Sequence, residues 1–121
     1  MSQLRKFKKY CEHYMEKFGI DKEWVVYYSE TPVLSNRYAE TTYWIDSKVA
    51  TITLNTALDH PEDRLKRMAF HEVCHLVLAD IIAMAKSRKF DDELLQTEEH
   101  RLINRLENVM LGRQKDWRLE E

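Results

Sequence analysis

The chain has 121 residues, 44% of them hydrophobic and 33% charged, which is enough for one compact domain and too little for two. Its 19 basic and 21 acidic residues leave a net charge of −2, so no global field draws it to nucleic acid or to an anionic membrane. Cys11 and Cys74 lie far apart among apolar or aromatic neighbours, which excludes a disulfide framework and reads as two small buried thiols.

In chain order, Leu4, Phe7, Cys11, Tyr14, Met15 and Phe18 recur at three- and four-residue spacing, predicting an amphipathic helix over residues 3 to 18 that Gly19 ends. The β-branched and aromatic run "EWVVYYS" (23 to 29) predicts a strand. "AETTYWIDSKVATITLN" (39 to 55) predicts two more around a turn at Asp46, Ser47 and Lys48, with "TPVLSNR" (31 to 37) as a loop. Alternation in "VATITLN" turns Ala50, Ile52 and Leu54 to the core and Thr51, Thr53 and Asn55 outward. A second helix starts with Asp59 or His60 as cap, Pro61 in the first turn and Glu62 and Asp63 at the positive end of the dipole. Its apolar content continues to about Met84. After the polar break "KSRKFDD", a third helix runs from about Asp92 to Leu111 and stops at Gly112. The fold class is α+β: an N-terminal helix, a sheet of about three strands, and two further helices. Residues 1 to 112 form one domain and residues 113 to 121 a charged tail whose one large apolar side chain is Trp117. No apolar run follows the basic start and none reaches bilayer length, so the expectation is a cytoplasmic protein without a membrane partner.

The chemistry is concentrated in "RMAFHEVCHLVLA", residues 67 to 79. From Met68 to Ala79 every residue is apolar except His71, Glu72 and His75. On a helix turning about 100° per residue, the two histidines lie about 40° apart, one turn from each other, so both imidazoles reach one ion. Glu72 stands beside the first histidine, where it approaches a water without binding the metal. This is the His-Glu-x-x-His pattern of zinc-dependent hydrolases, in which the metal acidifies water and the glutamate takes its proton. The competing reading is a core helix with two satisfied histidines and a chance glutamate. It leaves three polar groups in an apolar segment without a common partner, at a cost of several kcal/mol (roughly).

A catalytic zinc site takes three protein ligands and one open position. Leu78 and Ile81 stand where the metzincin extension requires glycine and histidine, which excludes that variant. The remaining donors gather in "QTEEHRLINRLENVML". Leu95, Leu102, Ile103, Leu106 and Met110 fall within about 60° of Glu99, and Glu98 and His100 lie about 100° to either side. Glu99 is therefore the first candidate for third ligand, with His100 and Glu98 in reserve, and a salt bridge from Glu99 to Arg67 or Arg105 is the alternative.

A helix carrying "HEVCH" followed by a helix whose buried face presents a glutamate resembles the gluzincin type of zincin metallopeptidase. In size and element order the chain is similar to the minigluzincins and to the small peptidase domains related to SprT and to the ImmA/IrrE proteins. The likeness covers roughly residues 20 to 111 in layout, with His71, Glu72, His75 and Glu99 as the matching motif positions. It implies a zincin-like fold and one Zn2+ per chain held by His71, His75 and Glu99. It further implies a peptide or protein substrate and hydrolysis of peptide bonds with Glu72 as general base. Ile103 stands where the thermolysin-like version has an aspartate, and "EEHRLIN" does not reproduce the Glu-Ala-Asn run of the ImmA/IrrE type. No zinc-ribbon cysteines are present, and no nucleic-acid partner is expected.

In the zincins that the chain resembles, the strand before the motif helix borders the cleft, which makes "VATITLN" the expected docking edge for extended substrate. Tyr27, Tyr28, Tyr38 and Tyr43 are unranked candidates for an oxyanion donor. Two other functions compete with the metallopeptidase: a catalytically silent binding module of the same fold, and a structural helical domain without metal. The tail with Trp117 offers a further possibility, a terminal segment lying in the cleft of a latent enzyme. Zinc is favoured over iron or manganese by two histidines and a carboxylate.

Overall fold

In the computed structural model, which describes residues 2–32, 37–87 and 91–111, the elements run α1 (Gln3–Phe18), β1 (Val25–Thr31), β2 (Ala39–Trp44), β3 (Val49–Asn55), α2 (Glu62–Val77), α3 (Ala79–Ser87) and α4 (Asp92–Leu111). This is an α+β protein with four helices and a three-stranded sheet among the described residues. Helix α1 has the expected limits: the Ser2 hydroxyl accepts from the Arg5 N–H at 3.2 Å, and Gly19 at φ 75° takes the left-handed turn that only glycine adopts without strain. Phe7, Cys11, Tyr14 and Met15 form its buried face.

The sheet order is β1-β3-β2, with β3 parallel to β1 and antiparallel to β2. The expectation that β3 offers a docking edge is therefore corrected: β3 is the central strand, hydrogen-bonded on both sides. Its apolar face explains the choice, since Ala50, Ile52 and Leu54 are all 0% exposed against the helices, a burial an edge position gives less readily. Asn55, expected to face outward, is buried at the strand's end. Its side-chain amide donates to the Arg37 carbonyl at 3.0 Å and its side-chain oxygen Oδ1 accepts from the Ala57 N–H at 3.0 Å. The β2–β3 turn places Lys48 at φ 56° and directs its amine to Asp80 at 2.6 Å and Glu23 at 3.5 Å, above the Trp24 ring.

Helix α2 departs from expectation at both ends. Pro61 itself occupies the N-cap position and no side chain caps the helix. His60 is instead turned inward, its ring Nε2 2.7 Å from the Asn55 carbonyl oxygen and its backbone N–H donating to Gln3 Oε1. Nor does one helix continue to Met84. The chain bends by 47° at Leu78, and α3 starts a new axis that buries Ala79 and Ile82 and brings Asp80 to Lys48. No proline or glycine marks the bend. No single helix among the described residues is long and apolar enough to cross a bilayer; the bent pair α2–α3 reaches that length and apolarity only jointly.

Helix α4 is capped by Asp91, whose carboxylate accepts from the N–H groups of Glu93 at 2.9 Å and Leu94 at 3.2 Å. Its buried line is Glu99, Ile103 and Glu107, four residues apart. Leu102 and Met110, assigned to the buried stripe from sequence, are 42% and 47% exposed, so the buried face is rotated towards the carboxylates. Gly112, the tail 113–121 and Trp117 lie outside the described residues.

The rotation is explained by Arg67 of α2. Its guanidinium meets Glu107 at 3.3 Å, donates to the Leu111 carbonyl at 2.9 Å and reaches Asp63 at 3.4 Å, while Arg67 and Glu107 are both nearly inaccessible. The pair fastens the last turns of α4 to α2, and the same guanidinium holds the Leu111 carbonyl at the end of the helix. Removing one partner strands the other charge in the interior. Arg67→Met is expected to lower unfolding free energy by about 3–5 kcal/mol in urea denaturation, and Arg67→Met with Glu107→Leu by distinctly less. Equal losses in the two variants would mean that the charges do not act as a pair.

Candidate metal centre

Helix α2 turns Leu65, Ala69, Phe70, Val73 and Leu76 into the core and His71, Glu72 and His75 towards a cleft of about 1280 Å³. The cleft lies between β2, α2 and α4, with Arg37, Thr41 and Tyr43 on the strand side and His100 and Asn104 on the α4 side. One ring nitrogen from each of His71, His75 and His100 lies within 4.8 Å of the other two. The rings meet at centroid separations of 5.1 Å for His71 with His75, 5.4 Å for His71 with His100 and 4.9 Å for His75 with His100. Donors around one zinc ion at about 2.0–2.1 Å stand roughly 3.4 Å apart, so three side-chain rotations of an ångström or so suffice to close the set. All three imidazoles suit zinc, and three histidines leave the fourth tetrahedral position open.

Glu99 is buried, as its helical phase predicts, and its carboxylate takes a definite place: Oε2 sits 2.8 Å from Nδ1 of His75. That contact engages one ring nitrogen and leaves Nε2 of His75 as its free donor. The sequence ranking put Glu99 before His100, whereas the donors that converge among the described residues are His71, His75 and His100, with Glu99 behind His75. Glu98 is away from the cluster, on the exposed face, paired with Arg101 at 3.0 Å. Helical phase fixes where a Cβ leaves the helix, but an imidazole is long enough to swing back across the crossing of two helices.

Glu72 is buried, and one carboxylate oxygen accepts a 2.7 Å hydrogen bond from the Thr41 hydroxyl on β2. Thr41 was not legible from sequence. It is one of several threonines in β-rich sequence, and only the pairing of β2 with β3 and the packing of α2 beneath them bring it to the glutamate. Burial pushes the Glu72 carboxyl above its ordinary range, against the opposing influence of His75 and the Thr41 hydrogen bond. Of the four tyrosines, Tyr38 and Tyr43 line the cleft. Tyr27 is 61% exposed, and Tyr28 donates to the sulfur of the core residue Met15 at 3.7 Å. The Tyr43 phenol is pushed up by burial and by the charge of Glu99, and so stays protonated beside the site.

Compared with protein-family models, with curated proteins and with solved structures, the chain matches none. The site is therefore read from its own geometry.

The histidines differ in their readiness to protonate. Burial, with His75 and His100 as neighbours, brings His71 down to about 3, and burial with His75 lowers His100. His75 is also disfavoured by burial, but the hydrogen bond it donates to Glu99 and the charges of Glu72 and Glu99 raise it overall above its ordinary value. On acidification His75 is the first of the three to take up a proton, and that proton opposes metal binding. Zinc affinity, measured by calorimetric titration at successively lower pH, is expected to fall once the pH passes below the pKa of His75, with a limiting slope of about tenfold per pH unit, that of one displaced proton. A slope of two or three would mean that His71 and His100 also compete.

Proposed function

We propose that the protein is a zinc-dependent peptidase of zincin-like architecture, with His71, His75 and His100 as metal ligands and Glu72 as general base. The observation that carries this reading is the convergence of three imidazoles on one point beside a buried carboxylate that faces the same cleft. The structural alternative, two satisfied core histidines, fits less well: His71 and His75 open to the cleft and are joined there by a third histidine. When bound there, zinc supplies Lewis acidity, which acidifies water and polarises a carbonyl.

The chain's own groups account for the remaining steps. Thr41 holds one oxygen of Glu72, which aims the other at water in the cleft. Glu72 accepts the proton as the water oxygen bonds to the carbonyl carbon, and returns it to the amine nitrogen as the carbon–nitrogen bond breaks. Burial moves its pKa upward, in the direction that helps one carboxyl both take and give a proton. Glu99 accepts from His75 Nδ1, fixing the tautomer and orientation of that ring, as carboxylates behind metal-bound histidines commonly do.

In Glu72→Gln, kcat/KM on an unfolded protein substrate is expected to fall by about 10²–10⁴ while zinc stays near one per chain by elemental mass spectrometry. Retained activity would remove Glu72 as the base. His71→Ala and His100→Ala are expected to lose zinc, and Glu99→Gln to keep it with about 10–100-fold weaker affinity. If His100→Ala kept zinc and Glu99→Gln lost it, Glu99 would be the third ligand instead.

The docking strand moves from β3 to β2. β2 pairs with β3 on one side, and its other edge carries no strand among the described residues and borders the cleft. An extended peptide added there would lie beside Glu72. Hydrogen exchange on Glu72→Gln with bound peptide is expected to protect amides of residues 39–44 and leave residues 49–55, already paired, unchanged. The reverse pattern would exclude strand addition at β2.

A further inference from the structure

We propose that α4 carries a row of amide side chains, Gln96, Asn104 and Asn108, which binds the main chain of an extended polypeptide along the cleft wall that faces β2. The proposal rests on the peptidase reading and specifies how the substrate is held.

The three residues and His100 recur every four positions, and all four line the cleft. Successive members rotate by about 40° around the helix axis, so the row is a shallow spiral about 18 Å long from Gln96 to Asn108. That length spans about five residues of extended chain. His100 sits within the row, which places the metal cluster part-way along whatever the row binds.

Chemistry selects the occupant. Each amide carries both a donor and an acceptor, the complement of a peptide group's carbonyl and N–H. None of the three is tied to another described residue. Two of the arginines that line the cleft are paired within the chain: Arg67 meets Glu107, and Arg37 meets Glu40 at 3.2 Å. A phosphate backbone requires a line of cations that this wall does not present. A lipid chain requires an apolar wall, and the row is polar throughout. Neutral, two-way hydrogen bonding suits main chain and reads no particular side chain. The substrate class is therefore unfolded or extended polypeptide cut with little sequence preference, held by β2 on one side and by α4 on the other.

The test is hydrolysis of unfolded casein by the zinc-loaded protein, wild type beside Asn104→Ala with Asn108→Ala. Both positions are exposed on a helix, where alanine is the better helix former, so the variant is expected to fold. Losing about threefold per hydrogen bond, the double variant is expected to raise KM about tenfold, with kcat and zinc content within about twofold of wild type. Casein binding to zinc-loaded Glu72→Gln is expected to weaken by the same factor when the two alanines are added. Unchanged KM and binding, with casein still cut by the wild type, would overturn the amide row and leave the peptidase reading standing. If the zinc-loaded wild type neither cut casein nor bound it after Glu72→Gln, both would fall.

Discussion

Helix α2 is buried over most of its circumference, and three of the polar side chains it carries inward, Arg67, Glu72 and His75, find partners on other elements. A polar side chain shut away from water without a hydrogen bond costs about 1–3 kcal/mol, more if charged, so these partnerships dictate how the rest of the chain packs. Arg67 takes Glu107 and the end of α4, Glu72 takes Thr41 from β2, and His75 takes Glu99 from α4. The sheet and the last helix are thus drawn to α2 by the residues that form the site. Structural and functional demands fall on the same few contacts.

The Arg67–Glu107 pair also sets the register of α4. Glu107 lies two turns beyond His100, so clamping it beside Arg67 places the imidazole over the first turn of the His71–His75 pair. The clamp and the histidine cluster occupy the same two helices at different heights. Glu99 and Glu107, eight residues apart on α4, answer His75 and Arg67, eight residues apart on α2. An apolar stripe would have bound the helices as firmly but without fixing their register to one residue.

Much of the fold was legible because it follows from local rules. The limits of α1 came from an apolar repeat closed by a glycine, the hairpin from β-branched runs around a polar turn, and the start of α4 from a polar break. The bend at Leu78 was hidden because no proline or glycine announces it; beyond it Asp80 meets Lys48 and Ile82 is buried, contacts between elements distant in sequence. The central position of β3 was hidden too, because strand order depends on which edge each connection reaches.

The sequence by itself determined that His71, Glu72 and His75 share one face of a core helix, since a periodicity of 3.6 residues admits no other arrangement. It also ranked Glu99 ahead of Glu98 and His100 as the inward-facing donor, and Glu99 is the buried one of the three. Tertiary structure alone decided what those groups meet: Thr41 at Glu72, Glu99 at His75, and His100 completing the imidazole cluster. The physical reason is the range of the two kinds of information. Helical phase fixes side-chain directions within one element, whereas the meeting of two side chains depends on the crossing and register of two elements, set by contacts such as Arg67 with Glu107 far along the chain.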